Sequence, residues 1–291
     1  MRVAVLASIA LVLGGFVSAT AFAGSVDIGG GGTMFLTCRG QGGPTVVLIS
    51  GLGDRADVWS TPTASAPTVL AGTARFTRVC AYDRPGTRTD SAPSRSSPVR
   101  QPTTPRDGAA GLEALLKAAR VPGPYVLVGH SYGGDIARMY ASEHPCDVVG
   151  LVLVDALSEG LARRLTAEQL AIIEALNTPQ GQSATAERIR LRATFRELRG
   201  ARSQRVPTVV LTADRPQLTP EVIASGELPP GVDQAFADAL WAAQIAAQDD
   251  LARRYPGSTH VTQTNSTHYI HLEQPRLVTR WISSVVRRAR R

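Results

Sequence analysis

Lysine is almost missing from this chain. Lys117 is the only one among the 31 basic residues, so the formal charge of +7 is carried by arginine. GC-rich codon usage explains that imbalance as readily as any partner does. The arginines are scattered, apart from Arg287, Arg288, Arg290 and Arg291, and no nucleic-acid motif accompanies them, so no nucleic-acid partner is expected. The C-terminal four read as a solvated helix end whose charge suits the dipole, with anionic envelope or lipid headgroups as the alternative contact. Cysteine is scarce too: Cys38, Cys80 and Cys146 permit one disulfide and leave one thiol over. Long apolar runs are absent after the N-terminus, which excludes a later membrane span and any stable membrane insertion of the mature chain.

The one apolar run runs from Val3 to Val17 behind Arg2 and ends before Ala21-Phe22-Ala23, an A-x-A cleavage pattern. Residues 1–23 therefore read as a secretory signal peptide, too short for a comfortable span, with an uncleaved anchor as the alternative. No cysteine follows closely enough for a lipoprotein anchor. The mature protein, residues 24–291, is expected to be exported and soluble, long enough for one domain with an insertion.

The chain is organised around Gly129-His130-Ser131-Tyr132-Gly133-Gly134. Gly-x-Ser-x-Gly arises by chance in a glycine-rich chain. Here, however, the apolar run Tyr125–Val128 precedes it and a helical pattern follows from Gly133, the strand–turn–helix context of a nucleophile elbow. Such a turn strains the serine backbone and projects its hydroxyl from the C-terminal edge of the sheet. Gly129 and Gly133 are required because side chains there would strike the neighbouring strand and helix. The helix dipole points at Ser131, and the Tyr132 N–H is placed to bind an oxyanion.

Around this turn, β-branched apolar runs alternate with helical patterns. Strands are expected at Ser25–Ile28, Thr33–Cys38, Pro44–Ser50, Arg78–Tyr82, Val148–Val154, Pro207–Thr212 and Thr259–Thr264. A helix capped at Thr103 or Thr104 should bury Leu112, Leu115 and Leu116, and a late one should bury Phe236, Leu240, Ala243, Ala247 and Leu251. The last helix, from Pro275, should turn Leu277, Trp281 and Val285 inward. The alternation predicts an α/β fold, a mostly parallel sheet with helices on both faces. Residues 157–205 break the pattern: two helical segments, Thr166–Leu176 and Thr185–Leu198, nine arginines and no strand signal read as a helical cap.

A nucleophilic serine needs a base, and the base needs an orienting acid. His268 falls between the last strand and the last helix and is favoured over His271, which lies nearer the helix start. His130 is expected to pack or hydrogen-bond locally. Leu48–Gly53, Tyr82-Asp-Arg-Pro-Gly86, Gly129–Gly133, Leu153-Val-Asp155 and Thr267–Ile270 together resemble the serine hydrolases of the α/β-hydrolase superfamily, over essentially the whole mature chain. The resemblance implies an eight-stranded α/β-hydrolase sheet with a small helical cap. In that family the third strand ends in His-Gly-x, whose last residue gives the second oxyanion N–H. Here Ser50 replaces the His and Leu52 becomes the donor. Thr87, Arg88 and Thr89 depart from the Gly and Ser that usually follow Asp-Arg-x-Gly. The family's acid usually follows the strand that here is Pro207–Thr212, but that turn reads Ala213-Asp214-Arg215-Pro216. The alternative position, used by a minority, is Asp155, and Asp155 is preferred with Asp214 as its competitor. The family's second strand runs antiparallel beside its fourth, which implies a Cys38–Cys80 bridge and leaves Cys146 free.

The implied chemistry is acyl transfer to water on a small-molecule ester, with no metal and no cofactor. An aminopeptidase or amidase of the same fold, which would want an acidic pair in the cap, is the alternative, and a ligand-binding member without catalysis is another. The arginine-rich cap leans towards carboxylate-bearing or neutral esters.

Overall fold

The computed structural model describes residues 21–62, 67–89, 92–178 and 184–291. Nearly all of the expected signal peptide lies outside them. In chain order the first half forms β1 (Phe22–Gly29), β2 (Gly32–Arg39), β3 (Thr45–Ile49), α1 (Val69–Thr73), β4 (Val79–Tyr82), β5 (Arg88–Thr89), β6 (Ala92–Pro93), α2 (Pro105–Ala118), β7 (Tyr125–His130) and α3 (Tyr132–Glu143). The second half adds β8 (Val148–Val154), α4 (Ala167–Leu176), α5 (Leu191–Gly200), β9 (Thr208–Leu211), α6 (Pro220–Ala224), α7 (Gln234–Arg254), β10 (Thr259–Val261), α8 (Ile270–Glu273) and α9 (Pro275–Ala289).

Eight strands form one sheet in the order β1-β2-β4-β3-β7-β8-β9-β10. The pairs β1–β2 and β2–β4 are antiparallel and the rest are parallel, while β5 and β6 pair separately. β3, β4 and β7 are buried along their whole length, which is why they read as unbroken apolar runs rather than alternations. Their two-residue period still sorts the side chains. Val47, Ile49, Leu127, Leu151 and Leu153 pack with α2, α3 and α7 on one face. Val46, Leu48, Val126, Val128 and Val152 pack with α1 and α9 on the other.

α2 starts where its cap was expected: Thr104 and Asp107 form a capping box with Pro105 at the first helical position. β10 stops at Val261, short of the expected Thr264, and two further elements differ from expectation. The segment from Thr185 is not helical until Leu191, because its backbone groups find partners elsewhere. The Glu187 N–H donates to the Gly86 carbonyl at 2.9 Å, and the Thr103 N–H donates to the Arg188 carbonyl at 3.1 Å. In α9 the buried stripe is Val278, Ile282, Val285 and Val286, one position beyond the expected Leu277 and Trp281, which are only partly buried. Of the C-terminal arginines, Arg290 donates to the Gly43 and Phe76 carbonyls at 2.9 and 3.0 Å.

Cys38 and Cys80 are direct register partners across β2 and β4 and form a disulfide, their α-carbons 4.1 Å apart. Cys146 is free and exposed. The chain leaves β3 for β4 on one side and later returns to β7 on the other. That reversal opens a crevice beyond the C-terminal ends of β3 and β7, where an open α/β sheet places its ligands.

Candidate active site

Ser131 occupies the tight turn from β7 into α3 with φ 51° and ψ −124°, a conformation that costs a non-glycine residue of order 1–3 kcal/mol. The surroundings hold it there. The Ser131 N–H donates to the Val154 carbonyl at 3.1 Å, and the Ser131 carbonyl accepts from Gly134 at 2.9 Å and Leu157 at 3.1 Å. A β-carbon at Gly129 would lie 2.4 Å from the Gly133 carbonyl oxygen, and one at Gly133 would lie 2.2 Å from that of Ile49. Both glycines are thus required by contact distance, and Ser131 is left partly exposed at the mouth of the crevice.

His268 lies in the loop between β10 and α8. Its Nδ1 is 2.6 Å from Oδ2 of Asp155, the residue just past β8. Asp155 is buried, and its carboxylate also accepts from the Ala213 N–H at 3.0 Å and from Gln244 Nε2 at 2.7 Å. Asp214 has a different task. It accepts the Asn265 and Ser266 N–H groups, both at 2.9 Å, and so shapes the loop leading to His268. Burial would raise the Asp214 carboxyl, but these backbone donors hold it below its ordinary range.

His271 sits in α8, buried, its ring centroid 4.6 Å from that of Trp59 and 4.3 Å from that of His130. Burial, reinforced by His268, pushes its pKa down to about 3, so it is neutral. His130 is buried as well, with Nε2 3.0 Å from the His268 carbonyl oxygen, and burial with the neighbouring His271 and His268 drives its pKa well down. Two neutral imidazoles thereby pack the floor under His268. His144 and His260 do not line the crevice.

At this end of the sheet the Leu52 and Tyr132 backbone N–H groups are two of those with no hydrogen-bond partner among the described residues. Ser50, at the position of the family's histidine, is turned into the core, where its hydroxyl accepts from Trp59 Nε1 at 3.1 Å and donates to the Arg55 carbonyl at 3.1 Å. The unusual Thr87–Thr89 stretch is fastened directly: the Thr87 N–H donates to the Arg84 carbonyl at 3.3 Å and the Arg88 N–H to the Gly53 carbonyl at 2.6 Å.

Ser131, His268, Leu52 and Tyr132 line one cavity of about 290 Å3. Its cap wall is apolar, with Leu161, Ile173, Leu176, Ile189 and Leu191. Among the described residues, no lysine or arginine lines it. Two of the cap arginines, Arg163 and Arg164, meet Asp250 at 2.5 and 2.7 Å, and none of the cap arginines is among the described residues that line the cavity. Their number therefore says nothing for a carboxylate-bearing substrate. The charged group that does face the cavity, besides Asp155 and His268, is Asp54, which has no hydrogen bond or ion pair from its carboxylate among the described residues. Burial raises its pKa to about 6 against the pull of Arg84. Sequence reasoning missed Asp54 and Gln244, since no local pattern marks either. Among the described residues, no group of three or more His, Cys, Asp or Glu side chains is placed to hold a metal ion, and no helix is long and apolar enough to cross a membrane.

The model of the alpha/beta hydrolase family matches residues 46–281. Uncharacterized protein YqjL of Bacillus subtilis strain 168 is 25% identical over 241 residues, covering 82% of each chain. Among solved structures, E-2-(acetamidomethylene)succinate hydrolase superposes with a TM-score of 0.61 at 16% identity, over 92% of this chain and 100% of that one. Carboxylesterase CesB (YbfK) of Bacillus subtilis superposes with a TM-score of 0.53 at 16% identity, over 92% of each. At these identities the solved structures speak for the fold.

Proposed function

The chain belongs to the alpha/beta hydrolase family, and on that premise we propose that it is an exported serine hydrolase that cleaves a small ester through an acyl-enzyme. The observation that carries the reading is the 2.6 Å pairing of His268 Nδ1 with Asp155, in the cavity that Ser131 also lines. Asp155 fixes the imidazole with its proton on Nδ1, which leaves Nε2 as the base. His268 takes the Ser131 proton as the hydroxyl oxygen attacks the ester carbonyl. The Leu52 and Tyr132 N–H groups receive the oxyanion, each of the kind whose removal costs ~10²–10³ in rate. The imidazolium then protonates the departing alcohol, and water, activated by the same base, releases the acid.

The apolar cap wall suits a short aliphatic or aromatic acyl group, and the absence of a cationic lining disfavours a substrate carboxylate. Residues 157–205 act as the cap of a single hydrolase domain spanning 24–291. Export is supported by the Cys38–Cys80 bridge, which an oxidising compartment maintains. A second reading, an amidase or aminopeptidase that holds a substrate ammonium, draws on the unpartnered Asp54 carboxyl. Turnover of p-nitrophenyl esters of increasing chain length, set against aminoacyl p-nitroanilides, separates the two. No turnover of either, with no labelling by a fluorophosphonate, would leave a ligand-binding role in their place.

A further inference from the structure

The turn that presents Leu52 is held by two charged side chains that the acyl-transfer steps do not use. Arg84 follows β4, and Glu187 lies in the extended segment between α4 and α5, in the cap. Their side chains are 4% and 2% exposed and meet in a two-pronged pair, Nε to Oε1 at 2.6 Å and Nη2 to Oε2 at 2.9 Å. Burial alone would lower the Arg84 pKa, and Glu187 reverses the shift, so the guanidinium is charged. Its other contacts go to the turn: Nη1 donates to the Ser50 carbonyl at 2.9 Å and Nη2 to the Gly51 carbonyl at 2.6 Å. Glu187 Oε2 accepts the Gly53 N–H at 2.7 Å.

These bonds, together with the Asp54 N–H that donates to the same Gly51 carbonyl at 3.2 Å, set where the Leu52 N–H points. A trans peptide sets its N–H opposite its carbonyl, and the bond joining Gly51 to Leu52 is trans. With the Gly51 carbonyl drawn towards Arg84, the Leu52 N–H is turned the other way, and Leu52 borders the cavity that holds Ser131. The Gly53 N–H, which could compete for the same anion, is already taken by Glu187. The cap segment can come this close because Gly86 has no side chain: a β-carbon there would lie 2.4 Å from the Thr185 carbonyl oxygen. A buried ion pair is a weak source of net stability compared with apolar packing, so its place under this turn points to geometry rather than to stability.

We infer that Glu187, acting through Arg84, is a positioning residue that aims the Leu52 N–H at the oxyanion, so that a cap residue completes the oxyanion hole of the main domain. The inference rests on the serine-hydrolase reading above. Its test is the kinetics of Glu187→Gln and Glu187→Ala with p-nitrophenyl butyrate, each rate divided by the concentration of sites titrated with a fluorophosphonate, alongside the Ki of an alkylboronic acid that forms a tetrahedral adduct. The expected result is a kcat lower by ~10-fold in the glutamine variant and by up to ~10² in the alanine variant, within the range for a misplaced oxyanion donor. KM should stay within about twofold, and the boronic acid should weaken in step with kcat/KM, because only tetrahedral species use the donor. A purely structural role would lower Tm but leave kcat per titrated site unchanged, and that result would overturn the inference. So would a loss confined to KM. Should the alanine variant fail to fold, the glutamine variant, which keeps the shape and an acceptor for the Gly53 N–H, still decides. A wild-type protein that neither turns over ester nor takes up the fluorophosphonate would refute the parent reading and this one together; full activity in both variants would refute this one alone.

Discussion

The two halves of this site are built in opposite ways. The elbow is local: β7, Ser131 and α3 follow one another in the chain, and the glycines that permit the turn lie within two residues of Ser131. The turn facing it, Ser50–Gly53, has glycines of its own but is also held from afar, by Arg84 and by Glu187, the latter pairing across 103 residues of sequence. The proposed base and acid are equally remote, with His268 and Asp155 separated by 113 residues. On the proposed reading, chemistry at the serine is encoded in a hexapeptide, whereas the groups that support it are delivered by the fold and the cap. Damage to the elbow should abolish function with little structural consequence, and damage to the facing side should degrade function in proportion to lost alignment.

The largest effect belongs to the elbow. Ser131→Ala is expected to lower kcat by ~10⁶, as loss of a triad nucleophile does, with the far-ultraviolet circular dichroism and Tm retained. Residual turnover well above background in a preparation free of wild type would break the comparison at its strong end. Next comes the acid. Asp155→Asn should cost ~10⁴ in kcat by releasing the imidazole tautomer, while Asp214→Asn, which only loosens the loop before His268, should be mild and show first in Tm. A collapse in the second and a mild loss in the first would reverse the assignment.

Asp54 provides a smaller effect, on stability rather than rate. Its folded pKa is raised from 3.8 to about 6, so the folded state holds this proton more tightly than the unfolded state does. Its stabilising contribution is complete below pH 3.8 and is lost as pH rises towards 6, by up to ~3 kcal/mol at ~1.4 kcal/mol per unit. Asp54→Asn should therefore gain on the wild type in urea midpoint between pH 4 and pH 7; a difference that does not grow with pH would show that the carboxyl is not strained by its pocket. The gentlest check concerns the strand that delivers Arg84. With Cys80 bridged to Cys38 at the base of β4, thiol counting under denaturing, non-reducing conditions should find one reactive group, Cys146, and a count of three would remove the bridge from the account.

What could be read from the sequence follows the same division. The elbow was legible because its strand, glycines and helix fall within one stretch of chain, and α2 was legible because Thr104, Pro105 and Asp107 carry their own start signal. His268 and the Asp155/Asp214 pair were legible only as positions after particular strands. The preference for Asp155 rests in the sequence on the turn Ala213-Asp214-Arg215-Pro216, whereas the Asn265 and Ser266 N–H groups that claim Asp214 are announced by no pattern. The 185–190 segment was misread as helix because its propensity was outweighed by tertiary partners at Gly86 and Thr103. That misreading concealed Glu187, and with it the support of the Leu52 turn. Asp54 stayed hidden because a carboxylate after Gly51-Leu52-Gly53 looks like an ordinary turn residue until burial gives it a cavity to face.

The central claim is that Ser131 is a nucleophile aligned by His268 and Asp155. Intact-mass measurement after treatment with a fluorophosphonate, followed by peptide mapping, tests it most directly. The account predicts a single adduct per chain, on Ser131, formed rapidly in the wild type, absent from Ser131→Ala and slowed by orders of magnitude in Asp155→Asn. No adduct, or an adduct on another residue that survives Ser131→Ala, would contradict it.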